Sequence, residues 1–360
     1  RDAATPSAEN ADTHRDDVAG WLFTSGTTGK PKGAVHCHHD FPWNTELYAK
    51  RVLGLGEEDV FVAVSRLFFG YATGTNLMFP FAVGGTAVLF PEKPTPDRLF
   101  DQIEAHEVTV LTNVPAMIRQ MVDADRDANL STVRICLSAG EALPEELYRR
   151  WKARWPSAEI LDGIGSAELF HIYITNRLGD VKLGSLGRIV EGYEAKIVGI
   201  DGETLGPDEI GRLWVRGDSA ALGYFGDTRK SKETFKGDDW VCTADLFRQD
   251  ADGYFYYAGR ADDMLKVRGM FVSPLEIEDC LATHGAVKEC AVVGADDGEG
   301  LTVPKAVVVL RDGHRPDEAL VVELQDYVRG RLTKYKFPRI VTFCDALPRN
   351  DRGKILRRDL

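Results

Sequence analysis

The chain has 360 residues, which is enough for two or more domains with hydrophobic cores of their own. Its 44% hydrophobic and 28% charged residues are typical of a globular protein. The formal net charge is −12 and no long basic run occurs, so binding to nucleic acid is disfavoured, and local basic clusters suit a small anionic ligand better.

Six cysteines are scattered along the chain without a CxxC pair: Cys37, Cys136, Cys242, Cys280, Cys290 and Cys344. This spacing argues against a zinc site or a disulfide framework and predicts a reducing, cytoplasmic compartment. No stretch has the pattern of a signal peptide, and apolar stretches such as 306–310 have the length of a strand and not of a membrane span.

A polar stretch over residues 1–17 precedes a short apolar run, 18–23, that predicts a buried β-strand. Residues 23–33 then read FTSGTTGKPKG. Glycines let the backbone approach a ligand, while hydroxyls and lysines supply donors and positive charge, so this pattern predicts a polyphosphate-binding loop. A solvated turn is the alternative. The Walker A pattern is excluded, because only two residues separate Gly26 from Gly29 and Pro31 follows Lys30.

Strand and helix patterns alternate after this loop. Buried strands are predicted at 60–64, 86–90, 108–111 and 135–137, and helices at 96–106, 115–125 and 144–155. The alternation predicts an α/β fold with a parallel sheet. From 184 to 259, short strands and glycine-rich turns predict a small barrel or sheet.

The residues beyond 260 predict a compact α+β unit. Its expected elements are a helix at 274–283, strands at 289–293 and 305–310, a helix at 317–332 and a strand at 339–343. We place the domain boundary near Asp262, which divides the chain into 1–261 and 262–360.

Six motifs, in the same order, resemble those of the adenylate-forming superfamily of acyl-CoA synthetases, nonribosomal adenylation domains and luciferases. The loop at 23–33 resembles its phosphate loop, and the further matches are SAGEA at 138–142, DGIGSAE at 162–168, TAD at 243–245, GRADDMLKVRG at 259–269 and RNDRGKI at 349–355. The resemblance covers almost the whole chain. It implies a large adenylation domain of parallel sheet layers and a small β-barrel, followed by a small mobile α+β lid domain.

The start of the chain departs from the family. A substantial portion precedes the phosphate loop in that family, whereas the loop here begins near residue 23. We expect either a fragment or a truncated form, with the front portion of the large domain absent.

The resemblance implies which residues bind ATP. The phosphate loop would contribute Thr24, Ser25, Gly26, Thr27, Thr28, Gly29, Lys30 and Lys32. Further nucleotide contacts would come from Gly140, Glu141, Ala142, Asp162, Gly163, Ile164, Gly165, Ser166, Asp245 and Arg260. Asp245 would accept both ribose hydroxyls, because a carboxylate has two acceptor oxygens.

Three catalytic residues are implied. Glu168 would help to hold Mg²⁺, with an ordinary surface carboxylate as the alternative. Lys354 would reach the oxygen that bridges the acyl group and the phosphate. Lys266 would enter the site for thioester formation, once the small domain swivels about the hinge residue Asp262.

Coenzyme A would enter along the hinge side of the site. Val267, Arg268 and Gly269 would line the pantetheine tunnel.

One residue departs from the nucleotide motifs, because Ala167 stands where the family usually has Thr, whose hydroxyl normally contacts the α-phosphate. Adenylation efficiency is therefore in question.

Residues 65–74 and 165–173 resemble the benzoate–CoA ligase branch. The acyl pocket implied by that branch is lined by Phe69, Gly70, Tyr71, Gly165, His171 and Ile172. Tyr71 would pack against an aromatic ring, and Gly70 would leave room for it. His171 would be a polar neighbour of the carboxylate or of a ring substituent, with a satisfied core histidine as the alternative.

The predicted activity is that of an ATP-dependent, AMP-forming ligase that joins a benzoate-type acid to coenzyme A. It would use an aromatic carboxylic acid, ATP, Mg²⁺ and coenzyme A. The alternatives are an aryl-acid adenylation domain that loads a carrier protein, and a nucleotide-binding module without catalysis. The substituent on the benzoate and the oligomeric state, including a homodimer, stay open.

Overall fold

The structure is a computed structural model that describes residues 11–24, 31–141, 143–267, 270–298, 301–333, 335–349 and 355–360. For Asp262, Lys266, Met270, Phe271 and Arg358 it describes the backbone only. No helix in these ranges is both long enough and apolar enough to cross a membrane.

A two-stranded antiparallel hairpin flanks the predicted phosphate loop. Strands β1 (Val18–Thr24) and β2 (Lys32–Cys37) pair so that Thr24 lies opposite Lys32. Residues 25–30 lie outside the described ranges. The predicted strand is confirmed but its burial is wrong: the side chains of Trp21 and Phe23 are 46% and 66% exposed. Successive side chains of a strand point to opposite faces, and these two share the face that the described residues leave uncovered.

Short helical segments follow the hairpin. Helix α1 (Asp40–Asn44) continues as a π-helix over Thr45–Val52. Helix α2 (Gly70–Thr73) continues as a second π-helix over Gly74–Met78, which leads directly into α3 (Phe79–Val83).

A seven-stranded sheet forms the centre of the molecule. Its strands are β3 (Val60–Ala63), β4 (Thr86–Val88), β5 (Val110–Asn113), β6 (Ile135–Ser138), β7 (Glu159–Gly165), β8 (Ile172–Thr175) and β9 (Arg188–Ile189). They lie in the order β4-β3-β5-β6-β7-β8-β9. All pairs from β4 to β7 are parallel, whereas β8 and β9 are antiparallel to their neighbours. The predicted parallel layer is confirmed.

The predicted helices of this region are confirmed as α4 (Pro96–His106), α5 (Pro115–Asp123) and α6 (Glu145–Arg154). Thr95 caps α4 by accepting the Arg98 N–H at 3.3 Å, and Pro96 occupies the first helical position, where its missing N–H costs nothing. These helices cover one face of the sheet around Phe100, Trp151 and Ile118. The opposite face forms a second core that contains Tyr48, Phe61, Phe79 and Tyr173.

Most of the region from 184 to 259 forms an antiparallel sheet of four strands, whereas β9 belongs to the seven-stranded sheet. They are β10 (Glu194–Val198), β11 (Gly211–Arg216), β12 (Trp240–Gln249) and β13 (Phe255–Arg260). Helix α7 (Thr228–Thr234) lies between β11 and β12 in the chain. In the register of β12 and β13, Asp245 lies opposite Arg260.

The C-terminal residues form the predicted α+β unit. Its elements are β14 (Leu265–Val267), β15 (Met270–Val272), α8 (Pro274–Ala282), β16 (Val287–Asp296), β17 (Thr302–Leu310), α9 (Glu318–Arg329) and β18 (Ile340–Phe343). Strand β17 pairs antiparallel with β16 and parallel with β18. Ile277, Leu281, Val308 and Leu324 belong to a hydrophobic core that is confined to this unit. The boundary near Asp262 stays a prediction.

One polar network ties the first residues of the central strands together. Arg134 donates to both carboxylate oxygens of Asp59, at 2.9 and 2.7 Å, and Thr109 donates to Asp59 Oδ1 at 2.7 Å. Burial by itself would raise the pKa of Asp59, but the hydrogen bonds from Arg134 and from the Gly56 N–H hold that pKa below its usual value.

Replacement of Asp59 by Ala is expected to lower the free energy of unfolding by about 3 kcal/mol, because it leaves a partly buried guanidinium without its partner. The loss should shrink as the pH falls below about 4, since a carboxylate with a lowered pKa stabilises the fold only while it is ionised. Urea unfolding at several pH values measures both effects.

Asp101→Asn is the matched control. It breaks the Arg126–Asp101 pair at 2.7 Å, which is exposed and therefore worth about 1 kcal/mol or less. Equal losses for the two variants would show that the Asp59 network adds nothing beyond a surface ion pair.

Candidate active site

The carboxyl ends of the parallel strands bring several predicted residues to one edge of the sheet. Asp162, Gly163 and Gly165 lie on β7, and Gly140 and Glu141 follow β6. Gly140 has a φ of 94°, in the left-handed region that favours glycine. Ligands of open α/β sheets bind outside the carboxyl ends of the strands, so this edge is where the sheet can receive a nucleotide.

Strand β8 runs back along β7 at very short range. A Cβ atom on Gly163 would lie 2.7 Å from the Ile174 carbonyl oxygen, and one on Gly165 would lie 2.4 Å from that of His171. Phe170, with a φ of 70°, reverses the chain between the strands. Both glycines are therefore required by the sheet itself, whatever ligand binds beside them.

Glu168 lies in the single 3₁₀ turn Ala167–Leu169 that follows β7. The hydroxyl of Tyr224 donates to Glu168 Oε1 at 2.6 Å, and Lys32 Nζ lies 5.4 Å from the centre of the Tyr224 ring. Burial, followed by the charge of Glu168, raises the pKa of Tyr224, so the phenol stays protonated and donates at neutral pH. Tyr224 therefore interacts both with Lys32, at the start of β2, and with Glu168, the predicted metal ligand.

The backbone of this turn is held by residues that the sequence did not single out. His36 Nε2 donates to the Ala167 carbonyl oxygen at 2.7 Å, and His36 Nδ1 lies 2.5 Å from Asp40 Oδ2. Both side chains are fully buried. The Ala221 N–H donates to the Glu168 carbonyl at 2.9 Å. The only sequence signal was a His and an Asp four residues apart after a strand, which is too common to be informative.

Ala167, which replaces the usual threonine, packs against a small apolar cluster. Its side chain lies against the apolar cluster of Ala34, Ala221 and Tyr224. The position therefore serves packing in this chain.

The predicted ribose residue Asp245 and Arg260 face each other on β12 and β13. Arg260 Nη1 lies 3.5 Å from Asp245 Oδ1. Burial raises the pKa of Tyr173 well above its usual value, and the negative charges of Asp245 and Glu168 raise it further. Sequence reasoning gave Tyr173 no role.

His171 is enclosed by aromatic rings in the predicted acyl pocket. Its Nε2 donates to the Tyr71 carbonyl oxygen at 3.0 Å, and its ring centre lies 5.4 Å from that of Tyr71 and 5.0 Å from that of Phe79. Burial lowers the pKa of His171 to about 4, so the imidazole is neutral near pH 7. Since Nε2 carries the proton, Nδ1 is an acceptor.

Gly70 and Gly74 differ in which atoms an added Cβ atom would contact. A Cβ atom on Gly70 would lie 3.2 Å from the Leu22 Cδ1 atom, whereas one on Gly74 would lie 2.5 Å from the imidazole of His171. Gly74 was missed by the sequence analysis, although it makes the room that His171 occupies. The remaining predicted members, Phe69 and Ile172, lie directly before α2 and at the first position of β8.

Several buried polar atoms around the site have no hydrogen-bond partner among the described residues: Tyr71 OH, Tyr173 OH, Ser166 Oγ, Asp162 Oδ1 and His171 Nδ1. Burial raises the pKa of Asp162 to about 7, against the opposing influence of the Ser138 hydroxyl and of the Leu143 and Gly163 backbone. Unpaired polar atoms are costly to bury, so a polar ligand that pairs with them fits this region.

Other predicted site residues cannot be placed in this way. Residues 25–30, Ala142, Arg268, Gly269 and Lys354 lie outside the described ranges. Asp262 falls in the turn Ala261–Asp263 and Lys266 in β14, and their side chains are not described. Val267 is placed, and its side chain is only 2% exposed because it packs into the C-terminal core.

A magnesium ion fits Glu168 as one ligand among several. Within the ranges that the structure describes, no group of three or more His, Cys, Asp or Glu residues is arranged to hold a metal ion. Mg²⁺ usually keeps several water molecules and binds one or two carboxylates together with substrate phosphates. A single carboxylate beside a predicted phosphate loop matches this usual mode of Mg²⁺ binding.

Comparison with known proteins gives a consistent assignment. The AMP-binding enzyme family matches residues 1–225, and the AMP-binding enzyme C-terminal domain matches residues 276–354. Benzoate–CoA ligase from Thauera aromatica is 44% identical over 353 residues, which are 97% of this chain and 66% of that protein.

Two solved structures have the same fold over nearly the whole chain. An anthranilate CoA ligase in complex with anthranoyl-AMP superposes with a TM-score of 0.91 at 42% identity, covering 98% of this chain and 68% of its own. A benzoate CoA ligase from Burkholderia xenovorans LB400 gives a TM-score of 0.90 at 43% identity, with coverages of 99% and 71%.

The chain spans about two thirds of the length of the curated relatives it matches, such as the 66% of the Thauera aromatica ligase. Both matched families, the sequence identity and the superposed folds agree. The chain therefore belongs to the AMP-binding enzyme family, in the benzoate–CoA ligase branch of the adenylate-forming superfamily.

Proposed function

We propose that this protein activates a benzoate-type aromatic acid with ATP, forming an acyl-AMP and releasing pyrophosphate, and then transfers the acyl group to coenzyme A. The observation that carries this proposal is a convergence after β7. Glu168 lies three residues before His171, Tyr224 connects Glu168 to Lys32, and Asp245 pairs with Arg260 at 3.5 Å. These contacts support our proposal that the groups for phosphate, ribose and acid belong to one site.

The first half-reaction brings a carboxylate to the α-phosphate of ATP, so two anions must approach each other. Positioning and neutralisation of charge supply most of the catalysis in such a step. Lys32 and Arg260 would provide positive charge, and Asp245 would orient the ribose. Glu168 would hold Mg²⁺, which neutralises phosphate charge when it is bound.

The aromatic acid would lie between Tyr71 and the residues of β7 and β8. Aromatic side chains favour stacked or edge-to-face contact with an aromatic ring. Because His171 is neutral and its Nδ1 is an acceptor, it would not form a strong ion pair with the substrate carboxylate. It would instead suit a hydroxyl or amino substituent on the ring.

The second half-reaction would use the C-terminal unit. We propose the division near Asp262 as a hinge, with residues 262–360 as the lid domain that brings Lys266 to the site and takes Lys354 away. Val267, Arg268 and Gly269 would line the path of coenzyme A, with Val267 contributing backbone, since its side chain is buried.

The six cysteines, all described, form no disulfide. We propose a reducing, cytoplasmic compartment, because the cysteines are scattered along the sequence without a CxxC pair. A homodimer is compatible with the proposal but is not required by it.

Thioester formation tests the proposed function directly. The intact protein is incubated with ATP, Mg²⁺, coenzyme A and one acid at a time: benzoate, its amino and hydroxy derivatives, cinnamate or a fatty acid. Mass spectrometry should detect a benzoyl-type thioester and none from the fatty acid.

The same experiment separates the alternatives. Acyl-AMP without a thioester would favour transfer to a carrier protein. If ATP binds and no acyl-AMP forms with any acid, the protein is a nucleotide-binding module and the ligase proposal is wrong.

Lys354→Ala is expected to slow acyl-AMP formation by roughly two to three orders of magnitude, as the loss of one preorganised charge donor does elsewhere. Thioester formation from supplied acyl-AMP should be largely retained, because the lysine would act in the first half-reaction only. Single-turnover kinetics of each half-reaction measure the two effects separately.

Lys196→Ala is a suitable control, since that ammonium lies over the Trp240 ring at 4.2 Å and neither residue is among the proposed site residues. It should leave both half-reactions unchanged. An equal loss in the two half-reactions of the Lys354 variant would contradict the assignment of Lys354 to adenylation alone.

Gly74→Ala is expected to lower kcat/KM for benzoate by roughly tenfold or more, because displacement of a positioning group by about 1 Å is costly. The new Cβ atom would lie 2.5 Å from the imidazole and push it aside. The KM for ATP should not change. Steady-state kinetics with each substrate varied in turn check this.

Gly56→Ala is the matched control, because a Cβ atom there meets nothing within 4 Å. An unchanged profile of accepted acids in the Gly74 variant would remove His171 from the acyl pocket.

A further inference from the structure

Tyr224 stands between the two charges that the proposed function needs most. Its hydroxyl donates to Glu168 Oε1 at 2.6 Å, and its ring lies 5.4 Å from the Lys32 ammonium. In the described part of the chain no ion pair joins Lys32 to Glu168. Tyr224 therefore interacts with both Glu168 and Lys32, which do not pair with each other.

The position of Tyr224 does not depend on Glu168. Its backbone N–H donates to Ser231 Oγ at 2.8 Å, and that hydroxyl donates to the Asp227 carbonyl oxygen at 2.7 Å. The Phe235 ring packs edge-on against the Tyr224 ring with 5.3 Å between centroids. The phenol is therefore presented to Glu168 by an independently anchored turn and by helix α7.

The geometry leaves one carboxylate oxygen of Glu168 to the ligand. Tyr224 donates to Oε1, and no donor within the described residues bonds to Oε2. A carboxylate fixed through one oxygen loses little further freedom when the other binds a cation, because part of the cost of ordering is already met.

We propose that Tyr224 is a positioning residue for the ATP site: it orients Glu168 toward the metal–phosphate group and prevents Glu168 from pairing with Lys32. A direct ion pair would consume the cation that the phosphates need and the carboxylate that Mg²⁺ needs. This inference rests on the proposed function, because it assigns Glu168 and Lys32 to ATP.

Tyr224→Phe tests the inference, since it removes the hydroxyl and keeps the ring beneath Lys32. The affinity for ATP in the presence of Mg²⁺ should fall about tenfold, in line with a hydrogen bond to a charged group. The affinity without Mg²⁺ should fall less, by about twofold, because only the competition of Glu168 for Lys32 then weakens the binding of the phosphates. Calorimetric titration of the intact protein with ATP, with and without Mg²⁺, measures both values.

Tyr254 provides a matched control. The Tyr254 hydroxyl also donates to a carboxylate, that of Asp180, and Lys182 Nζ lies 4.5 Å from its ring centre. Tyr254 has no place in the candidate site. Tyr254→Phe should therefore leave ATP affinity unchanged with and without Mg²⁺.

A double-mutant cycle separates positioning from a structural role. In a Glu168→Gln background, Tyr224→Phe should no longer affect the Mg²⁺-dependent affinity, because the group through which the phenol acts is gone. Equal weakening with and without Mg²⁺, or an equal effect in both backgrounds, would overturn the inference.

Assays of the unaltered protein distinguish failure of the Tyr224 inference from failure of the proposed function. If it forms acyl-AMP and Tyr224→Phe binds MgATP as tightly, the inference is wrong and the proposed function stands. If the unaltered protein neither binds ATP nor forms acyl-AMP, both are overturned.

Discussion

The candidate site depends on how closely β8 returns along β7. With carbonyl oxygens 2.7 and 2.4 Å from where a Cβ would lie, positions 163 and 165 admit only glycine without a shift of the backbone. The chain then reverses at Phe170, whose φ of 70° is rare for a bulky residue. This reversal separates Glu168 from His171, so the residues proposed for phosphate binding and for acid binding are both positioned by one turn.

Charge is the second constraint, because a chain with a net charge of −12 is proposed to bind a polyanion. Positive charge must then be concentrated locally and protected from the surrounding carboxylates. Arg260 forms an ion pair with Asp245 at 3.5 Å, whereas Lys32 lies over the aromatic face of Tyr224 and not against a carboxylate. The buried His36–Asp40 pair fixes the backbone of the same turn without adding an exposed charge.

Much of the fold follows from patterns that are local in the sequence. Helix α4 was predicted to the residue, because Thr95 and Pro96 mark its start, and the apolar runs at 108–111 and 135–137 became β5 and β6. The burial of β1 was wrong, since an apolar run does not reveal which neighbours will cover each face of a strand. Val267 was expected to line a tunnel, and its side chain lies in the C-terminal core.

The sequence by itself determined the family, the order of the elements and most of the candidate site, because motifs such as 162–168 and 243–245 carry their glycines and carboxylates within a few residues. Only the tertiary structure decided which other residues contact and support them. Tyr224, His36 and Gly74 contact the turn that carries Glu168 and His171, or the His171 ring itself, from segments that are distant in the chain. Such contacts arise when strands and turns pack together, so their partners are set by the fold and not by local sequence.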